Sequence, residues 1–250
     1  MTYCVGVLLP GGVVLASDSR TNAGVDNIAT FCKMTVFERE GDRSIVLLSS
    51  GNLAGTQAVI SLLKQRADDA SATGGIYKAR TMFDVATLVS DAVRDTERRD
   101  GEHLARSHNP FNASFIIGGQ IKGEPVRLFR TFAEGNFIEA GRDTPFFQTG
   151  EAKYGKPILD RVISPNTSLS DAIKCVLVSF DSTMRSNLSV GMPIDLAYYE
   201  RDRLKLAARY RFAPGDPYFT ELSKQWSEGV RTVFRQLPDV AMDASDAHAP

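Results

Sequence analysis

Apolar runs of β-forming residues alternate with short turn sequences at the start of the chain. Residues 3–9 (YCVGVLL) and 13–16 (VVLA) are rich in aliphatic and β-branched side chains, and 10–12 (PGG) between them is typical of a turn. This pattern predicts a β-hairpin. Residues 34–37 and 44–48 predict a second pair of strands around a polar turn.

Further along the chain, apolar residues return at the spacing of an α-helix, in which positions three and four apart share a face. This spacing predicts helices at 53–67, 81–98, 153–163 and 169–184, and an amphipathic helix between 214 and 234. Apolar β-rich runs predict further strands at 114–119, 126–129, 136–138 and 193–199. Ser168 or Ser170 is a natural N-cap for the helix that follows.

The predicted elements come in the order strands, two helices, strands, two helices, strands. This order is expected when two sheets stack face to face and helices cover both outer surfaces. The residues by themselves predict an α+β fold with several hairpins and paired helices. The small and polar residues of 68–77 predict a loop between the first two helices, too short for a domain linker.

Charge and composition narrow the classes of function. The 250 residues include 29 basic and 30 acidic ones, so the net charge of −1 gives no electrostatic reason to expect nucleic acid or a membrane surface as a partner. Cys4, Cys32 and Cys175 lack the spacing of a metal site and indicate a reduced, intracellular protein. Without a leader pattern or an apolar stretch near the ~20 residues that span a bilayer, we expect a cytoplasmic protein.

Thr2 directly follows the initiator methionine, and this pair carries the candidate chemistry. Removal of Met1 gives Thr2 a free α-amino group beside its own hydroxyl. The unperturbed pKa of an α-amine is about 7.7–8.0, so a fraction of it is neutral at working pH and can accept the hydroxyl proton. Thr2 also opens the first predicted strand, near the strand end where Asp18 emerges.

With these features the chain resembles the proteasome β-subunit family of N-terminal-nucleophile hydrolases, and within it the bacterial Anbu (ancestral β-subunit) group. The resemblance rests on the N-terminal threonine, the hydrophobic hairpin, 16–21 (ASDSRT), Lys33, and 49–51 (SSG) before a helix. Later in the chain, 150–155 (GEAKYG) and 189–191 (SVG) continue it.

The resemblance implies a particular fold, the four-layer αββα sandwich of N-terminal-nucleophile hydrolases. It implies one domain over 1–242, in which 212–236 form a C-terminal helical extension without a counterpart in the simplest members. Its aromatic face, with the sole Trp226, packs either on its own domain or on a neighbouring subunit. Residues 243–250 are small and polar and are predicted to be disordered.

The resemblance also implies catalytic roles. Thr2 is the nucleophile, Lys33 places an ammonium near its hydroxyl and amine, and Asp18 is the buried ion-pair partner of that lysine. Gly51 matches the glycine whose backbone N–H binds the oxyanion, where a Cβ would obstruct the substrate. Ser189 matches a serine that orients the threonine amine.

The primary substrate pocket is also implied by the resemblance. Its expected lining residues are Thr21, Phe31, Ser49 and Leu53. A Phe and a Leu beside small polar side chains predict a pocket that tolerates apolar groups, without a strong charge preference.

Two positions depart from the family pattern. Ser186 stands where the family carries an aspartate that orients the amine, and Asp181 or Asn187 is a candidate substitute. A further serine of the family falls at either Thr149 or Glu151. The sequence leaves both alternatives open.

The expected activity is that of a threonine-type endopeptidase. It needs no metal and no organic cofactor, and it acts on peptides or unfolded proteins inside a homo-oligomeric ring or ring-like helical assembly. No nucleotide-binding motif is present, so any ATPase partner is a separate polypeptide. The alternatives are an amidase or acylase with the same fold, and a weakly active or inactive ring-forming scaffold subunit, which Ser186 and a retained Met1 would favour.

Overall fold

The computed structural model describes residues 2–22, 28–68, 74–106 and 110–240. The strands of this part of the chain are β1 (Tyr3–Leu9), β2 (Gly12–Asp18), β3 (Arg20–Asn22), β4 (Ile28–Thr30), β5 (Met34–Arg39), β6 (Arg43–Gly51), β7 (Ala113–Ile121), β8 (Arg127–Thr131), β9 (Phe137–Glu139), β10 (Phe146–Gly150), β11 (Ile194–Glu200) and β12 (Ala208–Phe212). Its helices are α1 (Leu53–Asp68), α2 (Met82–Arg106), α3 (Lys156–Val162), α4 (Leu169–Ser186) and α5 (Pro217–Arg235).

Two antiparallel sheets of five strands form the centre of the fold. The first has the order β10-β1-β2-β11-β12 and the second has the order β5-β6-β7-β8-β9, while β3 and β4 pair with each other. In the first sheet β1 is bonded on both sides, with Tyr3 opposite Gly150 of β10 and Cys4 opposite Ser17 of β2. This register places Thr2, the residue before β1, beside the ends of β10 and β2.

The two sheets stack face to face. Because successive side chains of a strand point to opposite faces, Leu15 of the first sheet and Ile116 and Leu128 of the second meet in one buried cluster between the sheets. The alternate residues Phe115 and Ile117 belong to a second cluster, which they share with residues of α1 and α2.

The other face of the first sheet is covered by α4. The ring of Phe180 on α4 lies 4.6 Å from the ring of Tyr3 on β1, measured between centroids, and both residues are fully buried. Burial of side chains of this size contributes about 1.5–3 kcal/mol each. Helices therefore lie outside both sheets, which confirms the predicted α+β αββα sandwich.

The long elements agree with the sequence predictions, and the differences have local causes. Of the two predicted N-caps, Ser168 and Ser170, the helix uses Ser168, whose side chain accepts a hydrogen bond from the N–H of Asp171. Helix α2 continues to Arg106 because its charged end forms ion pairs along the helix, as between Arg106 and Glu102. Helix α3 begins at Lys156, three residues later than predicted, with Pro157 in its first turn.

The contacts within the chain divide it into two compact units, Met1–Pro214 and Gly215–Pro250. The predicted extension 212–236 begins inside β12, and helix α5 starts only at Pro217, where Asp216 caps it by accepting a hydrogen bond from Phe219 N at 3.0 Å. The predicted single domain over 1–242 therefore differs from this division, and the predicted tail 243–250 lies outside the described residues.

None of the helices in the described ranges combines the length and apolar character that a membrane span requires.

Candidate active site

Thr2 is held at the end of β1 by its neighbours on both sides. Its carbonyl oxygen accepts a hydrogen bond of 2.6 Å from Glu151 N, and the next residue, Tyr3, donates its N–H to Asp18 Oδ1 at 3.0 Å. Gly150 has a φ of +83°, and a Cβ there would lie 2.0 Å from the Thr2 carbonyl oxygen. Only glycine allows this close approach, so the end of β10 is shaped to hold Thr2.

Lys33 and Asp18 form a buried ion pair beside Thr2. Lys33 Nζ lies 2.7 Å from Asp18 Oδ1 and also donates to the carbonyl oxygen of Arg20 at 2.6 Å. Asp18 has no exposed surface and Lys33 is 6% exposed. Burial raises the pKa of Asp18, while the Lys33 ammonium and the N–H groups of Tyr3 and Gly191 act in the opposite direction. The ammonium is thereby fixed in one position.

Gly51 ends β6 with a backbone conformation that other residues rarely adopt. Its φ is +118°, and a Cβ there would lie 2.2 Å from the carbonyl oxygen of Asn112. Asn52 N donates to the same oxygen at 2.7 Å, which anchors the turn into α1. This part of the backbone lines the same cavity as Thr2, as an oxyanion-binding N–H requires.

The cavity has a volume of about 1200 Å³ and opens above Thr2. Of the expected pocket residues, Thr21, Ser49 and Leu53 line it. Lys33 and Gly51 line it as well, whereas Asp18 lies beneath the wall with no exposed surface. The structure therefore brings together the residues that the sequence assigned to the nucleophile, the ion pair, the oxyanion donor and most of the pocket.

Phe31, which the sequence places in the expected pocket, is not among the described residues that line this cavity. Its backbone N–H donates to the carbonyl oxygen of Ser19 at 2.9 Å, and 37% of the residue is exposed. The adjacent Cys32 lines the wall instead.

A second polar cluster lies on the other side of Thr2. Glu151 is 6% exposed, and its carboxylate accepts hydrogen bonds from Asn187 Nδ2 at 2.8 Å and from Lys153 N at 3.1 Å. Asn187 in turn accepts from the backbone N–H of Ser189 at 2.9 Å. Through its own N–H, Glu151 is bonded directly to Thr2. The residue that bonds to the backbone of Thr2 therefore also carries a buried carboxylate.

The remaining alternatives are oriented differently. Asp181 lies 3.1 Å from Arg185 one turn along α4, and Ser186 is exposed. Thr149 Oγ1 shares a hydrogen bond of 2.7 Å with Ser50 Oγ in the cavity wall. Ser189 makes its contact through the backbone and is not among the residues that line the cavity. Of the candidates left open by the sequence, Glu151 and Asn187 are the two that bond to each other.

Several residues of the cavity were not assigned to it from the sequence, and Arg130 is the one with the clearest chemical character. Arg130 lines the wall, together with Ser50 and Ser114. It follows Leu128 by two positions on β8, so it shares the face that packs between the sheets. A charged residue in phase with buried ones on a strand was a signal available in the sequence.

Within the described ranges, no cluster of three or more His, Cys, Asp or Glu side chains has the arrangement of a metal site.

Residues 2–199 match the proteasome subunit family. The chain therefore belongs to the proteasome subunit family. A proteasome β subunit from Methanothrix thermoacetophila is 25% identical over 210 residues, which cover 81% of this chain and 89% of that protein.

Solved structures of Anbu proteins give a more specific likeness. Anbu from Yersinia bercovieri is 46% identical with a TM-score of 0.90, over 96% of this chain and 100% of that one. Anbu from Hyphomicrobium sp. strain MC1 is 49% identical with a TM-score of 0.87, over 96% and 100%. A helical assembly of the Anbu complex from Pseudomonas aeruginosa is 46% identical with a TM-score of 0.91, over 98% and 99%.

Proposed function

We propose that this chain is a threonine-type peptidase whose nucleophile is Thr2 after removal of Met1. The observation that carries the proposal is the shared cavity, in which Thr2 lies with Lys33, Gly51 and room for a peptide. The buried bond between Lys33 and Asp18 fixes a positive charge in the same wall. Family membership over residues 2–199 supports the same class of chemistry.

The reaction uses groups of the chain alone. The Thr2 hydroxyl attacks the substrate carbonyl and gives its proton to the free α-amine, directly or through a water molecule. The Lys33 ammonium favours loss of that proton, and the N–H of Gly51 binds the oxyanion. The proton passes to the leaving amine, and a water molecule then hydrolyses the acyl-enzyme.

Glu151 and Asn187 stand in for the carboxylate that is missing at Ser186. When the α-amine accepts a proton it becomes a cation, and a carboxylate nearby stabilises that form. Glu151 is bonded to Thr2 through the backbone and holds its side chain against Asn187. The role proposed for Glu151 favours a peptidase over the scaffold alternative, because that alternative rests in part on the charge missing at Ser186.

The wider setting follows from the relatives. We propose a cytoplasmic homo-oligomer, a ring or ring-like helical assembly that acts on peptides or unfolded proteins, with any ATPase as a separate chain. The helical assembly described for the Pseudomonas aeruginosa relative supports this.

The test is covalent labelling with a peptide epoxyketone, which forms its cyclic adduct only with a hydroxyl and a free amine on the same residue. The wild-type protein is expected to be labelled once per chain, Thr2→Ser to be labelled more slowly, and Thr2→Ala to be unlabelled. Labelling that persists in Thr2→Ala would refute the assignment.

A further inference from the structure

In the described part of the wall around the cavity that contains Thr2, the charged side chains are all positive. Lys33, Lys64 and Arg130 line it, and the described lining residues include neither Asp nor Glu. The chain as a whole has 29 basic and 30 acidic residues, so this bias is local to the cavity. Asp18 pairs with Lys33, whereas within the described ranges no carboxylate forms an ion pair with Lys64 or Arg130.

Arg130 occupies an inward-facing position at the open end of the core. Leu128, two residues earlier on β8, is fully buried between the sheets, whereas Arg130 is half-buried and reaches the cavity. Burial lowers the pKa of the Arg130 guanidinium. Among the described residues no carboxylate forms an ion pair with Arg130 to offset this loss of water.

The hydrogen-bonding capacity of Arg130 is also unused. Its Nε is buried and has no hydrogen-bond partner in the described part of the chain. The guanidinium carbon lies 4.9 Å from the ring centre of Phe132, a contact through the face of the group. Because Nε is enclosed, the terminal N–H groups are those that a ligand in the cavity can reach, and a planar guanidinium matches the two oxygens of a carboxylate.

We propose that Arg130 binds a carboxylate of the substrate, so that the cavity selects peptides with an acidic group near the bond that Thr2 cleaves. The inference rests on the proposed peptidase function and names its substrate class. It also revises the sequence expectation of a pocket without charge preference, because that expectation considered only Thr21, Phe31, Ser49 and Leu53.

The test measures binding of three fluorescent peptides to the full-length Thr2→Ala variant by polarisation. The peptides share one length and differ only in carboxylates: a glutamate with an amidated end, a glutamine with a free carboxyl end, and a glutamine with an amidated end. We expect at least one acidic peptide to bind about tenfold more tightly than the uncharged one, as one charge-assisted hydrogen bond allows. The peptide that shows the difference identifies the source of the carboxylate.

Variants assign the preference to Arg130. Arg130→Gln on the Thr2→Ala background is expected to abolish the tenfold difference, and Arg130→Lys to keep part of it. The matched control Arg127→Gln removes an arginine of the same strand that is not among the described cavity-lining residues, and it should keep the difference in full. Equal affinities for all three peptides, no measurable binding of any, or a preference that survives in Arg130→Gln or is lost in Arg127→Gln would overturn the proposal.

The peptidase function and the role of Arg130 can be refuted independently of each other. Absence of epoxyketone labelling in wild-type protein would contradict the peptidase function and leave the binding preference measurable in Thr2→Ala. Labelling at Thr2 together with equal peptide affinities would overturn the role of Arg130 alone.

Discussion

At the scale of single residues, the proposed base is the α-amine of Thr2, and charges near an amine shift its pKa. Ser186 lacks the charge that the family pattern carries at that position, and Glu151 brings a buried carboxylate bonded to Asn187. A negative charge near an amine raises the pKa of that amine, because it favours the protonated form. The base in the proposed reaction is the neutral amine, so we expect Glu151 to affect the pH at which labelling of Thr2 begins.

Replacing Glu151 by Gln is expected to move the pH profile of labelling. Gln keeps the size and an oxygen that accepts from Asn187, but removes the charge, so the pKa of the α-amine falls. The rise of the labelling rate with pH should shift to lower pH by roughly half a unit to one unit, the usual effect of a nearby charge. The measurement is the rate of epoxyketone labelling between pH 5 and 9.

The matched control is Glu139→Gln, which removes a carboxylate that pairs with Arg127 on the second sheet. It should leave the pH profile unchanged. A profile for Glu151→Gln that coincides with the wild type would contradict the role given to Glu151.

The sequence predicted part of the site at this scale. Thr2, Lys33 and Gly51 were assigned from the family pattern and lie together in the structure. The choice of Glu151 was out of reach, because it depends on the register that sets Tyr3 opposite Gly150. Cross-strand register is determined by the whole sheet, which local residue types do not reveal.

At the scale of elements, the ion pair of Asp18 with Lys33 joins β2 to the segment between β4 and β5, and Asp18 also accepts a hydrogen bond from Tyr3 N of β1. Replacing Asp18 by Asn leaves the buried Lys33 cation without a counter-charge. Removal of one partner of a buried pair typically costs about 3–5 kcal/mol. We therefore expect a loss of this order in the free energy of unfolding, measured by chemical denaturation, together with loss of labelling.

The double variant Asp18→Asn with Lys33→Met separates stability from chemistry. Removing both charges should restore most of the lost stability, since an uncharged pair of similar volume is often tolerated. Labelling should stay absent because the ammonium is gone. If the double variant were as unstable as the sum of the two single variants, the ion pair would not be the cause.

Elements with a clear hydrophobic pattern of their own were predicted well from the sequence, and elements without one were missed. Helices α1 and α4 have regular apolar spacing and were predicted close to their bounds. Strands β10 and β12 were not predicted, because β12 is largely exposed and charged and each acquires its form by pairing with β1 or β11. Pairing across the chain was therefore the information that the local sequence lacked.

At the scale of the whole molecule, helix α5 exposes a row of large apolar side chains. On α5, Trp226, Val230, Val233 and Phe234 are between 36% and 72% exposed and recur at helical spacing. We call these four residues the apolar stripe of α5. Contiguous apolar surface of this kind marks interaction sites, and the proposed homo-oligomer makes a second copy of this chain its partner.

Adding a charge to the stripe is expected to weaken the assembly. Val233→Asp with Phe234→Asp should reduce the native mass toward that of the 27.3 kDa chain, because charges at the centre of an apolar contact lose water without a partner. The measurement is sedimentation velocity. The control is Thr232→Asp, at an exposed neighbouring position outside the stripe, and it should leave the native mass unchanged. If the variant with Val233→Asp and Phe234→Asp kept the native mass of the wild type, the stripe would be excluded as an interface.

The central claim concerns the nitrogen of Thr2, and its most direct test is the mass of the N-terminal tryptic peptide after epoxyketone labelling. Trypsin cleaves after Arg20, so the N-terminal peptide contains Thr2 and Asp18 and none of the other proposed catalytic residues. The account predicts a peptide of residues 2–20 that lacks Met1 and carries one probe. A peptide that still begins at Met1 in protein that hydrolyses peptides, or a probe found on another peptide, would contradict it.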